Sequence, residues 1–391
     1  MQASRALRLV TGFLGAGKTT LVQHILHNAE GRRVAVVVNE LGPSLGLEKA
    51  LLQAAAPPGS DAADFVELPN GCICCSVKGS FLQTLEALLA RREETPFTHI
   101  VVETTGLADP GPVAQALWAD EAVEPGAALD GVVTVVDAAS FVAQLGEPNG
   151  AEAAAQVAYA DVVLLNKSDT AAGAAGADGA ASAVRGINPM ARIVVTSRSV
   201  VSLDQILDIA TLGGGNASRA AAEGRALVHA LPHGGGPLRL PGAAGGVGTV
   251  VLRAERPVEE AALVGWLERL LWESPGGCPL LRAKGVVAVR APICTDFHAP
   301  GGEAAATAAC NDSHLPGDGT AATVVARVRV RVLQAVRDVY ELTDGGDGWE
   351  PSETAGAGEQ RSEAPSSVIV LIGRGLDGAS LRASFSQHVG T

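Results

Sequence analysis

Aromatic side chains are scarce in this chain, with seven Phe, four Trp and two Tyr among 391 residues. Stacking platforms for bases or sugars are therefore not expected, and the cores must be packed mainly by Ala, Val, Leu and Ile. Positive charge is also short: 29 Lys and Arg face 42 Asp and Glu, a net charge of −13. Such a surface repels a phosphate backbone, which argues against nucleic acid as a partner. No window approaches the ~18–20 uncharged apolar residues of a membrane span, and the residues before the first expected strand leave no room for a secretory h-region. A cytoplasmic protein without a membrane partner is the expectation. Six cysteines, three of them within four positions, do not have the spread of a disulfide scaffold.

What is present is ample apolar material, 47% of the chain, enough for at least one full core, and the length of 391 residues predicts two or three domains. Short apolar runs at Leu7–Thr11, Val34–Asn39, Thr98–Glu103, Gly131–Asp137, Asp161–Asn166 and Ile193–Thr196 read as strands buried on both faces. Helical stretches fall between them at Lys18–Asn28, Ser80–Arg92, Pro112–Trp118 and Leu203–Ala210. That alternation predicts an α/β domain over residues 5–212, a mostly parallel sheet with helices on both faces.

Residues 213–248, rich in Gly, Ala and Pro, read as a linker. A smaller α+β domain is expected over 249–391, from strands at Thr249–Arg253, Gly285–Val289, Val324–Val332 and Ser367–Ile372 and helices at Pro257–Trp272 and Leu376–His388. Strict alternation in Val324–Val332, with Arg327, Arg329 and Arg331 opposite Ala326, Val328, Val330 and Val332, predicts a half-exposed antiparallel sheet. Segments at about 292–322 and 344–365 have the composition of low-complexity surface insertions.

Gly12-Phe13-Leu14-Gly15-Ala16-Gly17-Lys18-Thr19 follows a strand and opens a helix, the context that a phosphate-binding loop requires. Backbone N–H groups of Gly12, Gly15, Ala16, Gly17 and the first helical turn through Thr20 can face phosphate oxygens, backed by the helix N-terminus. Lys18 is expected to reach the β- and γ-phosphates and Thr19 to ligate Mg²⁺. Asn166-Lys167-Ser168-Asp169 lies beyond a later strand, where ligands of open α/β sheets collect. A carboxylate at Asp169 can accept from guanine N1–H and N2–H₂, a donor pair that adenine lacks, so GTP is preferred over ATP, with Asn166 and Lys167 bracing ring and loop. Glu103 ends a strand, where it can hold Mg²⁺ or its water, and the Gly106 N–H can sense the γ-phosphate. Asp137 is a second carboxylate at a strand end, read equally well as a helix N-cap.

Cys72, Cys74 and Cys75 form the cluster Asn70-Gly71-Cys72-Ile73-Cys74-Cys75. Three thiolates suit Zn²⁺ or Cu(I) and leave one tetrahedral position open, as a transferable metal needs. Glu40 and Glu48 are the nearest carboxylates that can complete the set, while a disulfide switch within the cluster is the redox alternative. His229 and His233 have i, i+4 spacing but are separated by Pro232.

Taken in order, the runs Thr11 to Leu21, Asn70 to Cys75, Glu103-Thr104-Thr105-Gly106-Leu107-Ala108-Asp109-Pro110 and Asn166 to Asp169 resemble the CobW-like metallochaperone GTPases. Leu271-Trp272-Glu273, Lys284-Gly285-Val286 and Leu371 to Asp377 look like that family's C-terminal domain, and Leu47 to Leu51 with Cys74 to Lys78 are most similar to its eukaryotic zinc-regulated branch. The resemblance implies a P-loop G domain that binds Zn²⁺ at Cys72, Cys74 and Cys75, couples occupancy to GTP hydrolysis and hands the metal to a client. In that branch the client is a type I methionine aminopeptidase. The chain departs from the family pattern at Val38, Pro43 and Tyr340. A monomer or weak homodimer is expected. The competing readings are a Co²⁺ chaperone, a zinc sensor or store with a regulatory GTP site, and a small-molecule kinase.

Overall fold

The computed structural model describes residues 5–27, 32–38, 65–67, 78–90, 97–119, 127–209, 246–273, 280–294, 324–345 and 367–389. The first half builds one sheet. Its elements are β1 (Arg5–Gly12), α1 (Lys18–His27), β2 (Val34–Val38), β3 (Phe65–Glu67), α2 (Lys78–Ala90), β4 (His99–Glu103) and α3 (Gly111–Ala119). They continue with β5 (Ala127–Asp137), α4 (Phe141–Gln144), α5 (Gly150–Tyr159), β6 (Val162–Asn166), α6 (Ala171–Ile187) and β7 (Arg192–Val195). Strand order is β3-β2-β4-β1-β5-β6-β7, and every neighbouring pair is parallel. Valines and leucines of β1, β4, β5 and β6 are buried on both sides of the sheet, as the continuous apolar runs require. On one face α1 and the segment 201–209 cover Val10, Val36, Val101, Val133 and Leu164. On the other, α2, α3, α5 and α6 cover Leu9, Val37, Val102, Val136 and Leu165.

One expected element changes. Leu203–Ala210 is not an α-helix: among the described residues it holds a 3₁₀ turn, Leu203–Gln205, after which the chain reaches Asp208 in a left-handed conformation (φ 54°). Helices α5 and α6 and the three-residue β3 complete the crossovers that the sequence pattern left open.

The second half folds into β8 (Val247–Ala254), β9 (Val258–Glu259), α7 (Glu260–Trp272), β10 (Leu280–Cys294), β11 (Val324–Val336), β12 (Val339–Asp344), β13 (Ser367–Arg374) and α8 (Gly378–Val389). Its sheet runs β12-β11-β10-β13-β8 with antiparallel pairs, and β9 adds a short parallel pairing to β10. β10 extends well past Val289, and register from Arg282↔Val336 to Cys294↔Val324 pairs β10 with β11 along nearly their whole length.

Within the expected span Val330 and Val332 are buried while Arg329 and Arg331 are half-buried, as the alternation predicts, but further along β11 the sheet is covered on both faces. Leu333 and Ala335, on the arginine-bearing side of β11, pack with Trp266, Leu267, Leu271 and Phe385 of α7 and α8, where Trp266 and Phe385 meet edge to face at 5.0 Å. Arg331 on that side pairs with Glu260 at 3.1 Å. The opposite side, through Val336, Val368, Val370 and Ile372, joins the apolar cluster of the first domain. Two cores are thus fused along one interface.

A buried ion pair pins that interface. Asp161, at the start of β6, lies 2.5 Å from the Arg282 guanidinium and also contacts Lys284, while its second oxygen accepts from the Val132 N–H at 2.8 Å. Burial alone raises the Asp161 carboxyl pKa, but Arg282 and Lys284 outweigh it and hold the group at about 2.

Candidate functional site

The carboxyl ends of β1, β4, β5 and β6 converge on one edge of the parallel sheet, and the residues expected to bind nucleotide stand there. After β1 the chain turns through Phe13 to Gly17 and enters α1 at Lys18. Gly15 (φ 72°) and Gly17 (φ 114°) adopt backbone angles that favour glycine. Gly17 is needed for a second reason, since a Cβ there would lie 2.4 Å from Asn166 Nδ2 and 2.9 Å from Ser199 Oγ. Ala16 is buried, Thr20 is exposed, and Lys18 is 8% exposed with its ammonium donating to the Phe13 carbonyl at 3.1 Å. In that position the ammonium sits over the loop whose N–H groups can receive phosphate.

Thr19 and Glu103 meet at this edge. The Thr19 hydroxyl donates to Glu103 Oε1 at 3.0 Å, and Glu103 is buried at the end of β4. A hydroxyl and a carboxylate in contact beside a phosphate loop form an oxygen donor set that suits Mg²⁺, which takes one or two protein oxygens and keeps waters and phosphate for the rest. The segment after Glu103 is tied to β1 by the Thr104 N–H to Val10 carbonyl bond at 2.9 Å and by the Thr104 and Thr11 hydroxyls at 2.9 Å. Gly106 is buried against Leu14 of the phosphate loop: a Cβ there would lie 2.5 Å from Leu14 Cδ2.

At the end of β6, Asn166 locks two loops together. Its Nδ2 donates to the Ala16 carbonyl at 2.8 Å and to Ser199 Oγ at 2.9 Å, and its Oδ1 accepts from the Ser199 N–H at 2.8 Å. Lys167 takes a left-handed conformation (φ 62°), with its ammonium 2.7 Å from Asp137 Oδ2. Asp137 also accepts from the Ala139 N–H at 3.0 Å, so its carboxylate belongs to the turn and to Lys167 rather than to the Thr19–Glu103 pair. Asp169 is exposed at the mouth of this region, and Thr170, not Asp169, caps α6 by accepting from the Gly173 N–H at 2.9 Å.

Sequence reasoning did not single out the loop after β7. Arg198 (φ 52°) and Ser199 (φ 56°) are successive left-handed residues, and Ser168 Oγ donates to the Thr196 carbonyl at 2.8 Å. His24 of α1 closes the same loop from below, its Nε2 lying 2.7 Å from the Val201 carbonyl oxygen. The available signal was the polar run Thr196-Ser197-Arg198-Ser199 directly after a strand. Cys72, Cys74, Cys75, Glu40, Glu48, His229 and His233 lie outside the described residues. Among the described residues no group of three or more His, Cys, Asp or Glu side chains can hold a metal ion.

Residues 6–195 match the CobW/HypB/UreG nucleotide-binding domain, and residues 322–389 match the C-terminal domain of the cobalamin synthesis protein CobW. The zinc-regulated GTPase metalloprotein activator 1 of Schizosaccharomyces pombe is 39% identical over 216 residues, which cover 54% of this chain and 50% of that protein. The zinc chaperone YjiA of Escherichia coli is 40% identical over 168 residues, 42% of this chain and 50% of that protein. The chain therefore spans about half the length of the curated relatives it matches. In three dimensions it is similar to the crystal structure of Zn(II)-bound YjiA GTPase from E. coli, with a TM-score of 0.63, 25% identity and 99% of both chains covered.

Proposed function

This chain belongs to the CobW family, carrying its nucleotide-binding and C-terminal domains in order, and from that premise we propose that it is a GTP-hydrolysing zinc metallochaperone. In this reading Gly12, Gly15, Ala16, Gly17 and Thr20 line the phosphates, and Lys18 neutralises charge on the β- and γ-phosphates. Asn166 fixes the base loop to the phosphate loop, Lys167 braces it through Asp137, and Asp169 reads guanine. The observation that carries the nucleotide half is the 3.0 Å Thr19–Glu103 contact beside a phosphate loop.

Thr19 and Glu103 are the residues that would hold Mg²⁺. The ion supplies charge neutralisation on the phosphate oxygens when bound. The protein's own part is positional: it fixes the phosphates by backbone N–H groups, keeps the Lys18 ammonium over the loop and sets the Gly106 N–H beside it.

Zinc is the cargo. Cys72, Cys74 and Cys75, with Glu40 as a further ligand, are proposed to carry it, supported by the soft-ligand chemistry of three thiolates and by relatives named for zinc. GTP does not make the Zn–S bonds; it shifts the cysteine segment between arrangements of different affinity. The recipient is a client metalloenzyme, for which a type I methionine aminopeptidase is the first candidate. Cytoplasmic location and a monomeric or weakly dimeric state complete the proposal. The test is transfer: an apo-metalloenzyme should regain activity only when Zn-loaded protein and GTP are supplied together. Equal reactivation with GDP would reject the chaperone in favour of a zinc store.

A further inference from the structure

The segment that follows Glu103 is gripped from both domains. Gln156 of α5, 1% exposed, donates its amide to the carbonyls of Gly106 and Ala108, each at 3.1 Å. Leu14 closes the other side of Gly106, with its backbone N 2.7 Å from where a Cβ would stand. A displacement of Gly106 toward or away from a phosphate therefore has no slack to absorb it locally. Pro110 follows at once, and α3 begins at Gly111, so the displacement passes to a helix.

Among the described residues, that loop–helix unit meets the C-terminal sheet where β11 turns into β12, through the turn Arg337–Asp338 and the adjoining strands. Asp109 Oδ2 lies 3.6 Å from Arg337 Nη1, while its Oδ1 accepts from the Gly111 N–H at 2.9 Å. From α3, the Gln115 amide donates to the Asp338 carboxylate. The Asp338 carbonyl accepts from Trp272 Nε1 at 2.8 Å, which ties the turn to the end of α7. Arg337 is a non-glycine residue in the left-handed region (φ 55°), and its N–H donates to the Leu281 carbonyl at 3.1 Å. The fully buried Tyr159 hydroxyl is wedged against Gly111, close to Asp109, Arg337 and Arg374. Burial, assisted by Asp109, pushes that phenol upward, so the wedge stays neutral.

We propose that the Arg337–Asp338 turn is the element through which the C-terminal domain reads the nucleotide site, the Asp109–Arg337 pair being made in one nucleotide state and broken in the other. The inference rests on the guanine-nucleotide reading above. Asp109 and Arg337 are 34% and 40% exposed, so the pair is weak enough to exchange, whereas Gln156 and Tyr159 form fixed walls that direct the movement. Two contacts from one loop–helix unit onto one turn make a short mechanical path, and both partners of the switched pair are identified.

Hydrogen exchange of the full chain with GTPγS or GDP bound tests this. Amides of 336–344 should differ in exchange rate by at least fivefold between the two states. Arg337→Asn, which tolerates the left-handed backbone but removes the guanidinium, should abolish that difference while leaving GTPγS affinity within twofold of the parent. Arg337→Lys, which keeps the charge, should retain most of it. A turn that is nucleotide-independent in protein binding both ligands, or a difference that survives Arg337→Asn, overturns the inference alone. Failure to bind either nucleotide overturns the guanine-nucleotide reading, and the inference with it.

Discussion

The hydroxyl of Thr19, one residue into α1, donates to the buried carboxylate of Glu103, eighty-four positions away at the end of β4. Parallel pairing of β1 with β4 brings them together, in register from Ala6↔His99 to Val10↔Glu103. Replacing Thr19 by Ala removes a hydrogen bond to a charged group, worth about 1.5–3 kcal/mol, and should weaken Mg²⁺-dependent GTP binding by roughly 10- to 100-fold. Titration of Mg²⁺ at fixed nucleotide reads it. An unchanged Mg²⁺ requirement would remove this pair from the site.

Asp169 stands free of the helix-cap role that Thr170 fills. Asp169→Asn should lower GTP affinity by about 100-fold or more, because a site that loses its match to a donor pair discriminates strongly, and should favour xanthosine triphosphate instead. Competition between the two nucleotides measures the swap. Equal GTP affinity in the variant would leave guanine without its reader.

Gly17 is boxed in by Asn166 and Ser199. Gly17→Ala combines a strained φ of 114° with a steric clash and should cost about 1–3 kcal/mol while abolishing nucleotide binding. Thermal unfolding and nucleotide titration check both effects. A variant that binds normally would show that the Asn166 bridge can rearrange without loss.

Asp161 links the domains through Arg282 and Lys284. Its folded pKa of about 2 is below the ordinary value, so its contribution is complete above the unfolded pKa near 4 and fades as pH falls through 2. Unfolding free energy should therefore drop by about 2 kcal/mol between pH 5 and pH 2 from this group, a component that Asp161→Asn lacks. Arg282→Met should cost about 3–5 kcal/mol at pH 7 by leaving a buried carboxylate short of its partner. Denaturant titrations across pH decide the matter; a parent and an Asp161→Asn variant with identical slopes would contradict the assignment.

The parallel sheet and the phosphate loop were legible because their signals are local: β-branched runs buried on both faces, glycines at fixed spacing, a Lys-Thr opening a helix. Helix α5 was not, since Ala153 to Tyr159 are buried on every side and leave no polar face to reveal a period. The full span of β10 was hidden by Pro292, which pairs with Ala326 of β11. Coverage of both sheet faces could not be read from alternation in β11, because Arg331 is neutralised by Glu260 of a helix far ahead in sequence. Asp137 was balanced between a metal role and a turn role, and only the nearness of Lys167 in space decides it. The Asn166–Ser199 bridge and the Asp109–Arg337 contact likewise join segments that the sequence separates by dozens to hundreds of residues.

The central claim is that the nucleotide cycle controls the hold on zinc. Its most direct test is Zn²⁺ affinity by chelator competition on the purified chain, with GTPγS and then GDP bound and Co²⁺ in parallel, repeated on Cys74→Ser. The account predicts a nucleotide-dependent change of at least tenfold, about 1.4 kcal/mol, with Zn²⁺ preferred and the change lost in the variant. Equal affinity in both nucleotide states would contradict it.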